Sequence, residues 1–232
     1  MAAMTEDQPT PGSVHDLRKR WKPIKQRLTA DRDQHPTVIR FHRACTWLQR
    51  VEAVSPDEDQ DIALVCQWIA FNALYGQWDE QKLDPKSDRR SWRDFMDKVL
   101  ALDSSRFLEG VLTEHKRLVM SILDDSYLRD YFWNDPSVSK ANQTTPEKRK
   151  AATWYIEKRW VLILEALFER VYFLRCQMVH GAATYGSNLN RKSLQRCITM
   201  MGHLMPAILN VWIETGVDED WGPMCYPPIG QG

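Results

Sequence analysis

Apolar residues recur along this chain every three to four positions, the period of an amphipathic helix, and no segment alternates as a half-buried strand does. The pattern predicts a first helix over 14–29, basic and carrying Trp21, with Pro23 either interrupting it or marking its start. A second helix is expected over 38–54, where Phe41, Cys45, Leu48 and Val51 share a face. Ser55-Pro56-Asp57 reads as a turn leading into an acidic first turn, a favourable helix start. The third helix carries Ile62, Val65, Cys66, Ile69 and Ala73 and should end at Gly76 as its C-terminal cap. Asp79 to Asp88 is a polar connection containing Pro85, followed by helices over 91–102 and 107–123. Asn134, Asp135, Pro136, Ser137, Ser139, Asn142 and Pro146 make 133–146 a loop by composition. One long helix is then expected over 147–179, a short loop over 182–188, and a final helix over 190–214. The fold class is therefore all-α: a single helical domain over 14–215, between a disordered polar tail (1–13) and an irregular, Pro-containing tail (216–232).

Composition narrows this further. The chain has 232 residues, enough to bury a sizeable core, and its ten Trp are expected to anchor helices on one another. Lys plus Arg equals Asp plus Glu at 31 each, so any polyanion site must be local rather than a property of the whole surface. Five cysteines without a Cys-x-x-Cys pair argue against a disulfide framework and against a zinc ribbon, and suit a reducing compartment. The longest apolar run, Trp160 to Phe168, is broken by Glu165 and is too short to cross a bilayer. No membrane association is expected, and the chain reads as cytoplasmic.

The chemistry concentrates at the end of the long helix, in Leu174-Arg175-Cys176-Gln177-Met178-Val179-His180-Gly181. Trp160, Ile163, Leu164, Leu167, Val171, Leu174 and Met178 form one apolar stripe, and Arg175 falls inside it. A guanidinium on such a face is costly unless an anion meets it. His180 is the side chain suited to proton transfer near neutral pH, and Gly181 should stop the helix. Arg196 followed by His203 gives a second match to the same loose spacing, but both fall on the face expected to be solvated. The bland reading of Arg175 is a snorkelling or ion-paired cation, and that of His180 a helix cap. Five residues apart on one helix, the two side chains diverge by about 140°. A joint site must therefore form at the helix end or be completed by a second subunit.

The run Tyr172 to Gly181, with Arg175 and His180 in an Arg-x4–6-His arrangement on a late helix, resembles the HEPN superfamily. Trp68-Ile69-Ala70-Phe71-Asn72-Ala73-Leu74-Tyr75-Gly76 is similar to a segment of its Apea-like branch. The resemblance covers two helices and implies a HEPN-type helical bundle with additional helices. It further implies a metal-independent endoribonuclease acting as a homodimer, whose two Arg-x-His motifs meet across a two-fold axis. Arg175 and His180 would be its catalytic pair; Asn72, Cys176 and Gln177 are the candidate substrate contacts, with Asn72 orienting Arg175 or substrate, or simply a buried, satisfied amide. The partners implied are RNA, a second copy of the chain, and an antitoxin or other regulatory protein, in a toxin or phage-defence role. Active members typically carry Asn or Asp directly after the Arg, whereas this chain has Cys176, a poor hydrogen-bonding substitute. That departure keeps two other readings open: an inactive dimerisation or RNA-binding module, and a nucleotide-sensing domain with Arg175 on a ligand phosphate.

The remaining motifs carry less. Arg18-Lys19-Arg20-Trp21-Lys22, with Lys25 and Arg27, could grip phosphates, though a solvated helix face is the simpler reading. Lys148-Arg149-Lys150 and Lys158-Arg159 are similar cases. Asp57-Glu58-Asp59 and Asp61 resemble a helix start more than a metal site, and Trp133, Trp154 and Trp160 are expected in the core. His-Glu-x-x-His, Gly-rich phosphate-loop and Gly-x-Ser-x-Gly motifs are missing, and neither metal nor cofactor is expected.

Overall fold

The structure is a computed structural model that describes residues 12–30, 34–54, 59–142, 145–188 and 190–227. The expected tail at 1–13 lies almost wholly outside the described residues, as does the Ser55-Pro56-Asp57 turn. The architecture is all-α, as the periodicity predicts. The helices are Val14–Leu28 (α1), Pro36–Ala53 (α2), Gln60–Tyr75 (α3), Asp88–Leu102 (α4), Phe107–Glu114 (α5) and Lys116–Leu123 (α6). They continue with Val138–Ala141 (α7), Pro146–Ile156 (α8), Trp160–Val179 (α9) and Arg191–Glu214 (α10). Trp78–Asp79 (β1) and Asp84–Pro85 (β2) pair as a two-residue antiparallel hairpin in the connection between α3 and α4.

Side-chain caps mark half of the starts, those of α1, α2, α3, α7 and α8. The Ser13 hydroxyl accepts from Asp16 N–H, the Asp59 carboxylate from Ile62 N–H and the Thr145 hydroxyl from Lys148 N–H. α1 runs through Pro23, which sits on its exposed face. Gly76 does cap α3, but in an ordinary backbone region (φ −56). What it needs there is space, since an added Cβ would lie 2.9 Å from Asn72 Oδ1.

Two expected helices are each broken. The 147–179 helix is two, because the chain turns at Glu157–Arg159 with Lys158 in the left-handed region (φ +53). The turn is closed by Arg159 N–H donating to Trp154 O at 2.8 Å. It swings α8 back so that Tyr155 Oη reaches Leu112 O at 2.9 Å. The 107–123 helix breaks at His115, whose ring stacks on His203 of α10 with centroids 3.7 Å apart. The 133–146 loop in turn contains the single-turn helix α7. Neither break falls at a Gly or Pro, and each carries a long-range contact instead.

The core is built on α3, α9 and α10. α3 lies between α2 and α10, and α10 also carries α1, α5 and α6 on its flanks. Aromatic rings stitch these layers together: Phe71 stacks on Phe168 at 4.5 Å, Trp212 on Trp221 at 4.4 Å and Trp21 on Phe41 at 4.3 Å. Trp154 and Trp160 pack against this core only partly buried, and Trp133 stays at its edge with its indole N–H on Tyr127 O.

The segment after α10 is irregular but firmly docked. Trp221 is buried, and Met224 bridges back to Gln77. The anchor is Arg40 on α2, only 1% exposed. Its guanidinium donates to Leu74 O (3.0 Å), Gly76 O (2.7 Å), Trp221 O (3.4 Å) and Gly222 O (3.1 Å). One side chain thereby ties the end of α3 to the segment 221–222. Burial pulls its pKa down to about 10, still well above neutrality.

Candidate functional site

The last turns of α9 project beyond the helices that cover its middle. Leu174 is buried and Met178 still packs against the core, but Arg175 and Val179 face a groove. This groove, about 510 Å³, runs between α2, the C-terminal half of α3, the end of α9 and residues 224–226. Trp68, Asn72, Arg175 and Val179 line it, with Arg40, Arg43 and Trp47 from α2. Trp47, Val179 and Tyr226 form an exposed apolar rim, Val179 being 52% exposed and Tyr226 71%.

Arg175 is half-buried here, so it is not the buried cation that its place in the stripe suggests. That cation is Arg170, one and a half turns earlier. Its guanidinium donates to Leu128 O (3.2 Å), Leu123 O (3.4 Å) and Glu147 Oε2 (3.4 Å). Arg175 is different in kind. Among the described residues its one polar contact is Nη1 to Cys176 Sγ at 4.0 Å, and no carboxylate pairs with it. Its charge is felt by Tyr75 and Tyr172, whose hydroxyl pKa values burial raises and Arg175 opposes. The Tyr75 hydroxyl already donates to Asp88, which raises its pKa further.

Of the residues singled out beside it, Asn72 shares the groove, with its amide against Gly76. Cys176 and Gln177 face a separate cleft of about 480 Å³ on the other flank of α9, with Trp133, Phe173, Leu174 and Met178. Gln177 acts there through its backbone, its carbonyl accepting from Ala182 N–H (2.8 Å) and Ala183 N–H (3.0 Å). His180 is the exposed C-cap of α9 and lines neither cleft. Gly181 stops the helix in the left-handed region (φ +73), as expected. A single chain thus brings Arg175 and Asn72 together and leaves His180 outside the groove.

The second spacing match is more engaged than a solvated face would be. Arg196 pairs with the buried Asp125 carboxylate at 3.1 Å, and His203 stacks on His115. Burial, then the neighbouring His115, holds the His203 pKa below its usual 6.5. Lys148 pairs with Asp124 and Asp61 with Arg191, while Asp59 caps α3. In the basic run, Arg20 is taken up by Asn210 and Glu214, and Arg27 by Asp218. Among the described residues no group of three or more His, Cys, Asp or Glu could hold a metal ion, and no helix is long and apolar enough to cross a membrane. No protein-family model, curated protein or solved structure matches this chain.

Proposed function

We propose that this chain is a HEPN-type, metal-independent endoribonuclease that acts as a cytoplasmic homodimer, in a toxin or antiviral defence role restrained by an antitoxin or other regulatory protein. The observation that carries the reading is Arg175: a half-buried guanidinium in an open groove, with no carboxylate among the described residues to neutralise it. Arginine left without a carboxylate is the donor best matched to a phosphate, which it engages bidentately. The apolar rim of Trp47, Val179 and Tyr226 beside it suits contact with a second copy. Two copies joined there would supply His180 to a groove that its own chain leaves incomplete.

In the reaction, His180 removes the proton from a ribose 2′-OH and the oxygen attacks the adjacent phosphorus. Arg175 stabilises the crowded, doubly charged phosphorane. The bond to the 5′-oxygen breaks and that oxygen takes a proton, leaving a 2′,3′-cyclic phosphate. Because the 2′-OH is the nucleophile, DNA is spared. Cys176 favours the second reading, an inactive dimerisation or RNA-binding module, since its only contact with Arg175 is a long sulfur contact that orients the guanidinium weakly.

The test is incubation of purified protein with diverse RNAs in the presence of chelator. Cyclic-phosphate ends that disappear in both Arg175→Ala and His180→Ala support the enzyme. RNA binding with no cleavage of any RNA supports the inactive module, and a strictly monomeric protein at active concentrations rules out the shared site.

A further inference from the structure

A second cleft, about 610 Å³, opens between α1 and α2. Its floor is Trp21 stacked on Phe41, and its charged lining is Arg18, Lys22, Lys25 and Arg43, with His42 beside them. Among the described residues no carboxylate lines it. In a chain with 31 Lys and Arg against 31 Asp and Glu, four cations without a counter-charge are a local excess. Other surface cations do find carboxylates, as Arg27 finds Asp218, Arg93 Glu169 and Lys98 Glu219. Lys22 and Lys25, both exposed, form no ion pair among the described residues.

The arrangement is ordered as well as basic. Arg18, Lys22 and Lys25 stand at i, i+4 and i+7 on α1, a ladder on one helix face with rungs about 6 and 4.5 Å apart along the axis. Arg43 lines both this cleft and the Arg175 groove, so the two are neighbours that share this side chain. It is fixed at the junction by donating to Cys225 O (3.1 Å) and Tyr226 O (2.6 Å). Exposed Trp47 and Tyr226 line the same groove as Arg43 and Arg175. A line of cations leading to exposed aromatic faces is what a single-stranded nucleic acid uses: phosphates on the basic rungs, unstacked bases on the rings.

We infer that the α1–α2 cleft is the entry track for single-stranded RNA, delivering the strand past Arg43 to the groove at Arg175. The inference rests on the ribonuclease reading for its destination, while the track itself is a binding site that can be measured alone. Lys22 and Lys25 hold phosphates upstream of the cleaved bond, Trp47 and Tyr226 stack bases beside it, and Arg175 receives the phosphate to be attacked.

The experiment is fluorescence anisotropy of the full chain with a labelled 12-nucleotide single-stranded RNA across a salt series, for wild type, Lys22→Gln/Lys25→Gln and Lys22→Glu/Lys25→Glu. Each phosphate of a single strand that a lysine no longer neutralises lowers the slope of log K against log salt by about 0.7. The Gln pair is therefore expected to lower it by about 1.4. The Glu pair should weaken binding at least about tenfold at moderate salt and raise KM for any cleaved RNA. Both positions are exposed, and an unchanged urea midpoint shows that the fold is kept. An unchanged slope and affinity in both variants would overturn the track. So would loss of binding to anionic phospholipid vesicles with RNA binding intact, which would assign the cleft to a membrane surface. Lysine-dependent RNA binding without cleavage of any RNA would keep the track and sink the ribonuclease reading. Arg175-dependent cleavage indifferent to Lys22 and Lys25 would do the reverse.

Discussion

Replacing Arg40 by Met keeps the aliphatic stem and removes the guanidinium that ties the end of α3 to residues 221–222. Its hydrogen bonds to the carbonyls of Leu74, Gly76, Trp221 and Gly222 disappear with it. Hydrogen bonds to a charged group contribute about 1.5–3 kcal/mol each, so the gross loss is about 6–12 kcal/mol. Against this, the variant no longer buries a cation. The depression of the Arg40 pKa to about 10 corresponds to about 3 kcal/mol recovered, at about 1.4 kcal/mol per pH unit. The carbonyls of Gly76 and Gly222 are only partly buried and can return to water, which trims the gross figure further. A net destabilisation of about 3–5 kcal/mol is expected, a large share of the stability of a domain this size. Urea unfolding followed by tryptophan fluorescence measures it, and loss of the Trp212–Trp221 stack should show as protease sensitivity near residues 221–227 at low urea. Arg40→Lys should recover no more than about half of the loss, because a point-like ammonium cannot span both carbonyl pairs. A loss under about 1 kcal/mol for Arg40→Met would refute the reasoning and show that the segment docks through Trp221 alone.

Two further outcomes follow from the same geometry. Arg170→Met should cost about 2–3 kcal/mol, since it leaves Leu128 O unmet and weakens the Glu147 network, whereas Arg175→Met should stay within about 0.5 kcal/mol of wild type in urea titrations; equal costs would contradict the division into structural and site cations. His203, held below the usual histidine range by burial and by His115, binds a proton less readily in the folded than in the unfolded state, even though Glu114 pulls the other way. Its contribution is therefore complete above about pH 6.5 and is lost as pH falls below it, so the urea midpoint should drop between about pH 7.5 and 5.5, and His203→Gln should flatten that dependence.

Periodicity places α1 to α4 and α10 within a few residues, because each buries a stripe that local sequence spells out. It cannot locate the breaks at Lys158 and His115. Neither falls at a Gly or Pro, and each carries a long-range contact instead: Tyr155 reaching Leu112, and His203 meeting His115. The same limit applies to the cations. Arg175 is legible as a charge on an apolar stripe, but whether it lies under the core depends on how far neighbouring helices extend along α9. Arg170 escapes a sequence reading because its partners are 23 to 47 residues away. Arg40 offers a better signal, since it adjoins Phe41 and lies one turn before Ala44 on the buried arc of α2. The basic run is legible as charge alone. Only the tertiary structure sorts it into engaged residues, Arg18, Arg20 and Arg27, and unengaged ones, Lys22 and Lys25.

The clasp between Arg40 and residues 221–222 also fixes an order of events. Its two halves are 181–182 residues apart in the chain, so at about 5–20 residues per second the ribosome exposes Arg40 some 10–35 s before residues 221–222 exist. Until then the guanidinium can meet only the carbonyls of Leu74 and Gly76, and the Arg175 groove lacks the wall that Met224, Cys225 and Tyr226 provide. A nascent chain can therefore form much of its helical core while its groove is still open on one side. The capacity to seat a ligand beside Arg175 arrives only when the late segment folds back over the early one.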